Sequence, residues 1–482
     1  MSDMSHKSHS KISKGVYWTI INKLSGIIVQ LISLTVLARY IKPQEFALMG
    51  IALFFMNIAN LMIDSGMGGS LVGKKQISDR DYSTLFIYNL GVSCFLAVCL
   101  FFLSSLISEF YATPGLVSII KVISFQLLVI SIGKVHNIIL IRELRFKELG
   151  IVAVMSQLVS VLVAIFLAIR GYGIWALIAQ NFINIILTVL LQFFYCRYIP
   201  KLSFDLTSFK EQWIFGSYLF IASLIQLLTT NIYQLIFPKI SSLKFSGYYT
   251  QASKLQMLPI TTAASIIDLA TFPVLAQNRD SENFLDMCRF LARLVYLLVF
   301  SLLFVLFLFS KQFLLFLLGP EWVDASDVLR ILLCSAIFLL VQVQIRNVLK
   351  SIYETQLIFK IEIVKSIIVF ICLLLGFFFD ENFFLYTIPC ASFASMVYNI
   401  STLSKVSSYK WNLQVLDILK PFFYCLLVAV LVYLLQIIVD CNNFVFLIIK
   451  SLSFYVLLMI VVYLCKDNDM KKILAHYGFK FI

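Results

Sequence analysis

Charge is what this sequence has least of. Asp, Glu, Lys and Arg make up 13% of its 482 residues, roughly half the share of an average soluble chain. Apolar residues take 61% and aromatics 15%. No water-soluble fold covers that much apolar surface, so the composition implies an integral membrane protein. Histidine is scarce as well, with four in the chain. His6 and His9 lie in the polar start "MSDMSHKSHSKISKG", leaving His136 and His476 elsewhere. That leaves no credible Ser/His/Asp constellation, and the His6 and His9 pair, which could bind metal, reads instead as part of a solvated tail. The ten cysteines show no CxxC or Cys/His spacing. All but Cys441 lie in or at the end of apolar runs and read as packing residues, not as a disulfide or zinc framework.

Nucleotide motifs are missing too. No GxxxxGK[ST] loop is present, which argues against an ATP-driven pump subunit. "DSGMGGSLVGKK" is glycine-rich without that spacing and reads as a tight turn. "DRD", Asp79 to Asp81, resembles the metal-binding DxD of glycosyltransferases, but no nucleotide-sugar domain surrounds it. It reads as a solvated turn. The net charge of +13 would suggest nucleic acid in a soluble chain. In a membrane chain it reflects basic residues that hold cytoplasmic loops in place, and no nucleic-acid partner is expected. No cofactor or metal is expected either.

What is abundant is apolar runs of spanning length. About 14 can be counted, joined by short connections. Uninterrupted runs of this length mean helices, not barrel strands, so the fold class is an all-α polytopic membrane protein. The run that follows the polar start is about 23 residues, too long for a signal-peptide core, and is expected to stay uncleaved. About 26 basic residues fall in one set of alternate loops and about 10 in the other, which makes the first set cytoplasmic. Both termini are then cytoplasmic, as an even number of spans requires. The longest connections inside the apolar region, near residues 197–211 and 405–420, divide the chain into six, six and two spans. The expected organisation is a tail (1–14), a first lobe (15–200), a second lobe (201–404), two accessory helices (405–465) and a tail (466–482). Tandem halves around a central site are a recurring transporter plan.

Polar residues inside the spans point to a cavity. Thr19, Lys23, Gly26, Gln30 and Ser33 share one face of the first span at i, i+4, i+7 spacing. Asn57, Asn60 and Asp64 do so in the second, and Gln180, Asn184 and Thr188 in the sixth. Gln226, Thr230 and Gln234 mark the seventh, Thr261, Ser265 and Asp268 the eighth, and Gln342 and Arg346 the tenth. Any one such residue can be interhelical glue worth about 1 kcal/mol. Polar faces at matching places in the two halves favour a shared cavity. Lys23 is the costly member, at about 2.5–3.5 kcal/mol for a mid-span lysine. It lies roughly 13 Å along the helix from Lys14, so its stem either points into the cavity or snorkels to the inner surface. Asp64 and Asp268 lie near cytoplasmic ends, open to capping, ion pairing or ion coupling. Arg289 with Arg293, and Arg346 with Lys350, read as anchors in the anionic leaflet.

Several stretches resemble a known family. "VLARYIKPQEFALMGIALFFMNIANLMIDSGMG" is similar to the pattern R-x-L-x-P-x-[DE]-[FY]-G, a span, then a D-x-G turn. "LIRELRFKELG", "GYGIWALIAQ", "FSGYYTQASKLQMLP" and "FPVLAQNRD" follow in order. Together, over roughly residues 15 to 405, the chain resembles the Wzx-type polysaccharide and O-antigen flippases. These belong to the multidrug/oligosaccharidyl-lipid/polysaccharide exporter superfamily, and the resemblance is nearest to the colanic-acid and teichuronic-acid exporter branch. Ala47 stands where the family usually has Gly, and Tyr233 where many relatives carry an acid.

The resemblance implies two six-helix lobes in a V around a central cavity, plus two accessory helices. It implies an inner-membrane flippase for an undecaprenyl-diphosphate-linked oligosaccharide, working by alternating access and breaking no bonds. Membrane lipids and a polysaccharide polymerase are implied partners. On this reading Lys23 meets the diphosphate, Asn22, Gln30, Asn57 and Asn60 meet sugar or line the cavity, and Asp64 and Asp268 are ion-coupling candidates. Two alternatives stay open. A polysaccharide polymerase or glycosyltransferase would need a sizeable outer loop. A cation-coupled small-molecule antiporter would need an apolar, acidic cavity without a cationic centre.

Overall fold

The computed structural model describes residue 23 and residues 25–74, 77–378, 381–438 and 444–464. Among these residues there is no strand. Also among them, ten helices are long and apolar enough to cross a membrane, and Ser25–Tyr40 and Ile448–Tyr463 are shorter apolar helices. The chain is a multi-pass, all-α membrane protein. It divides into two compact units, Met1–Thr250 and Gln251–Ile482.

In the first unit, α1 (Ser25–Tyr40) leads into α2 (Pro43–Asp64) and the short α3 (Met67–Gly73). Long helices follow: α4 (Asp79–Phe110), α5 (Leu116–Arg142), α6 (Phe146–Ile169), α7 (Ile174–Cys196) and α8 (Leu206–Ile240). α9 (Leu243–Ile266) begins in this unit. α4 packs on α5, α6 on α7, and α5 also on α2 and α7. Ser93 and Ser131, both fully buried, bond across the α4–α5 seam at 3.0 Å. Between helices in lipid, where hydrophobic drive is absent, such bonds contribute about 1 kcal/mol each.

The family-like stretches are helix-end devices. In "KPQEF", Pro43 opens α2 with its ring at a position where no N–H is needed. Glu45 Oε2 accepts from Lys42 N at 3.0 Å, while its Oε1 accepts from Ile174 N at 3.0 Å. One carboxylate thus satisfies free N–H groups at the starts of both α2 and α7. That requires Gly173, at φ +53°, because a Cβ there would sit 2.3 Å from Glu45 Oε1. In "DSGMG", α2 ends on Ser65 in the left-handed region (φ 44°). A Cβ on the following Gly66 would lie 2.4 Å from the Gly216 carbonyl of α8. The turn is therefore also a backbone crossing. In "LIRELRF", Arg142 Nη1 donates to Leu71 O and Lys74 O, both at 2.7 Å, closing the C-terminal end of α3.

Asp81 of "DRD" is buried at 4% exposure, which differs from the solvated turn expected. It caps the start of α4 with Ser78 and accepts from Ser208 Oγ of α8 at 2.5 Å and from Lys74 Nζ at 3.1 Å. Burial is tolerable because nearly every lone pair is used.

The second unit holds α10 (Phe272–Gln277), α11 (Phe284–Leu308), α12 (Ser310–Leu317), α13 (Ala325–Ser351), α14 (Thr355–Gly376), α15 (Glu381–Val406), α16 (Trp411–Ile438) and α17 (Phe444–Leu464). α13 is its buried centre, packed by α11, α14 and α15, while α16 lies on α11 and α17 on α16. Gln342 donates to Ser392 O at 2.9 Å and Gln256 to Ser335 Oγ at 2.9 Å, so these spans are pinned by amides.

Candidate functional site

The first unit contains a polar cavity of about 460 Å³ walled by α2, α5 and α7. α2 contributes Asn57 and Asn60, α5 contributes Lys134 and Asn137, and α7 contributes Asn181, Asn184, Thr188 and Gln192. Helical spacing explains the walls. Asn57 and Asn60, Asn181 and Asn184, and Lys134 and Asn137 are i, i+3 pairs that share a face. Gln192 donates to Asn137 Oδ1 at 3.3 Å, tying α7 to α5. Asn60 Oδ1 is buried and accepts no hydrogen bond among the described residues. An acceptor in that position is ready for a ligand hydroxyl or amide.

Lys134 is the cavity's cation. Its Nζ lies 3.8 Å from Asp64 Oδ1, with side chains 22% and 37% exposed. That is a loose pair with solvent access, at the outer limit of an ion contact. An arriving anion can compete with Asp64 for the ammonium. The cavity therefore offers one exchangeable positive charge among amide donors and acceptors, which suits a sugar joined to a phosphate.

The structure places the sequence candidates as follows. Asn57 and Asn60 line the cavity and Asp64 pairs with its lysine. Lys23 is helical and exposed, and Gln30 is exposed on α1; neither lines this cavity. Asn22 lies outside the described residues. Asp268 pairs with Lys350 Nζ at 3.1 Å, both substantially exposed. Gln180 donates to Ser33 Oγ at 2.9 Å, joining two of the polar faces read from the spans. Sequence reasoning passed over Lys134, although its depth inside a spanning run and Asn137 at i+3 were visible. It also passed over Lys254, which stands exposed in the middle of α9. Charged residues so placed usually face water or protein, not lipid.

The arginines read as leaflet anchors have protein partners. Arg289 Nε reaches Asp417 Oδ2 at 3.0 Å and Arg293 Nε reaches Asp417 Oδ1 at 2.6 Å. Tyr409 OH donates to Asp417 Oδ2 at 2.8 Å. Asp417 is fully buried. Arg346 Nη1 bonds Glu362 of α14, which also pairs with Lys365 at 3.7 Å.

Spanning helices in two units, with a polar pocket that carries a lysine inside one of them, define a multi-pass membrane protein with an internal binding cavity. The fold agrees with solved structures. A lipid II flippase MurJ in an inward closed conformation matches with TM-score 0.76 at 14% identity, over 94% of this chain and 99% of that one. An inward-facing multidrug resistance MATE family transporter of the MOP superfamily matches with TM-score 0.61 at 15% identity, over 80% and 99%. At these identities the likeness shows the fold. Residues 36–327 match the family described as "Polysaccharide biosynthesis protein", and the chain belongs to that family. Among similar curated proteins is the lipopolysaccharide biosynthesis protein WzxC of Escherichia coli (strain K12), 26% identical over 373 residues, 76% of this chain and 75% of that protein. Another is the teichuronic acid biosynthesis protein TuaB of Bacillus subtilis (strain 168), 25% identical over 332 residues, 67% of each.

Proposed function

We propose that this protein moves a polyprenyl-diphosphate-linked oligosaccharide, a repeat unit of a surface polysaccharide, from the cytoplasmic to the outer leaflet of a bacterial inner membrane. The observation that carries the proposal is the amide-lined cavity with Lys134 loosely held by Asp64. A sugar cannot cross hydrocarbon unaided, and amides replace its water. The diphosphate is anionic and draws Lys134 from Asp64, which then becomes free to take a proton or a cation. This gives Asp64 the coupling role, with Asp268 and its partner Lys350 the second candidate. The cation also argues against an antiporter with an acidic, apolar cavity.

Lys23, Asn22 and Gln30 stay in the proposal as headgroup contacts on the first span, and Lys254 joins them as a further cation. Fourteen spans, with both termini cytoplasmic, are proposed from the ten apolar helices, the two shorter ones, the polar α9, and α14, which is apolar but carries Lys360, Glu362 and Lys365. The reaction makes and breaks no bond. Vesicles holding the purified chain should transfer a lipid-linked oligosaccharide between leaflets, read by its accessibility to an added glycosidase. No transfer under any imposed proton or sodium gradient overturns the reading.

A further inference from the structure

A second cavity, about 300 Å³ and almost wholly apolar, lies in the first unit between α4 and α5. Cys94, Ala97, Val98 and Phe101 give one wall, and Ser124, Phe125 and Leu128 the other. Val98, Phe102 and Phe125 are more than half exposed, so the cavity is a groove on the outside of the helix pair, open to the bilayer. It is separate from the polar cavity: α5 turns Gly133, Lys134 and Asn137 one way and this groove another.

Lys121 continues the groove's face. Residues 121, 124, 125 and 128 follow the i, i+3, i+4, i+7 pattern of one helix stripe. Lys121 Nζ lies 4.9 Å from the centre of the Phe101 ring, which itself forms part of the wall. The ammonium is thus held over an aromatic at the groove end nearer Leu116, the start of α5. A groove for an alkyl chain that ends in a fixed cation, one to two turns inside a spanning helix, has the chemistry of a phospholipid site. The chain fills the groove and the phosphate meets the lysine at headgroup depth.

We propose that α4 and α5 bind one anionic phospholipid, acyl chain in the groove and phosphate on Lys121. On the orientation given above this lipid sits in the outer leaflet. Charge complementarity selects an anionic headgroup over a zwitterionic one. The site does not depend on transport, so its failure and that of the flippase reading are separate results.

The test is native mass spectrometry of the full chain released from nanodiscs of mixed phosphatidylglycerol and phosphatidylcholine. The wild type should retain phosphatidylglycerol over phosphatidylcholine by about fivefold, the factor one lysine near an anionic surface contributes. Lys121→Gln should bring that ratio close to one. Val98→Trp, a change on an exposed position that fills the groove without touching the core, should lower retention of both lipids. Lys239→Gln alters a different exposed cation, one lying over Phe110, and should leave the ratio unchanged. An unchanged ratio in Lys121→Gln, or unchanged retention in Val98→Trp, overturns the proposal. So does displacement of phosphatidylglycerol by equimolar undecaprenyl phosphate, which would assign the groove to a polyprenyl chain instead.

Discussion

Lys134 with Asp64 and Asp417 with its arginines are both ion pairs of a membrane protein, built in opposite ways. In the first unit one lysine meets one carboxylate at 3.8 Å, both partly exposed, on the wall of a cavity. In the second unit a fully buried carboxylate takes hydrogen bonds from Arg289, Arg293 and Tyr409. The difference is spare capacity. Lys134 has donors left over and is partly exposed, so on the proposed reading a ligand replaces Asp64 at little cost. Asp417 has its lone pairs used, and removing a partner strands a buried charge. Loose pairs in cavities serve binding, whereas saturated pairs between helices serve assembly. Here α16 is fastened to α11 by the saturated one.

The comparison breaks first at Asp417. Asp417→Ala leaves two guanidiniums facing each other beside Tyr409, and should cost about 3–5 kcal/mol. The expected result is loss of the monodisperse protein in detergent, or a melting temperature lowered by many degrees. A triple replacement with Arg289→Met, Arg293→Leu and Asp417→Leu removes both signs at once and should recover most of that stability. If the triple variant is as unstable as the single one, the cluster is more than a fastening.

Next is Lys134. Lys134→Gln should leave melting within about 1 kcal/mol of wild type, because the pair is loose and partly exposed. Transport in vesicles should fall by about 10- to 100-fold, the range set by losing a charge-assisted hydrogen bond to the headgroup. Lys134→Arg should restore part of it. Wild-type transport in Lys134→Gln would move the headgroup site to Lys23 or Lys254.

Asp64→Asn is expected to act more mildly and in two directions. With its counterion neutral, Lys134 should bind an anionic headgroup severalfold more tightly, since one competing charge near the surface is worth about 1 kcal/mol. Turnover should fall and lose its dependence on the imposed cation gradient. An unaltered gradient dependence would shift coupling to Asp268.

The wall of the cavity was partly legible in the sequence. Asn57, Asn60, Asn184 and Thr188 announce themselves because an amide or hydroxyl recurring at helical spacing in an apolar run has no reason to face lipid. Lys134 did not, because the cavity it faces is completed by Asn57 and Asn60 of α2 and by the amides of α7, which only the fold brings against α5. Lys23 drew attention instead, since the polar stripe of the first span surrounds it. The Asp417 cluster was illegible for a different reason. Its arginines lie more than a hundred positions from Asp417 in the chain, and a basic residue at a helix end reads as a lipid anchor whenever its partner is remote. Glu45 was legible as a motif but not as a device, because the two helix starts it caps meet only in three dimensions.

The smallest effect belongs to a pair that combines both types. Lys74 Nζ bridges buried Asp81 at 3.1 Å and Glu211 at 2.9 Å, with the Glu211 side chain 61% exposed. Glu211→Gln removes only the exposed partner, so the stability change should stay between zero and about 1 kcal/mol. The hydrogen bond that Lys74 Nζ donates to Glu211 is the largest influence holding the Lys74 ammonium charged above its ordinary range. A raised lysine contributes its stability below the unfolded value and loses it as pH climbs through the folded one. The difference between Glu211→Gln and wild type should therefore be flat from neutral pH to about 9 and shrink only beyond 10. Thermal melts across that range would show it. A difference that instead varies around pH 7 would mean another group, not Lys74, carries the contact between α3, α4 and α8.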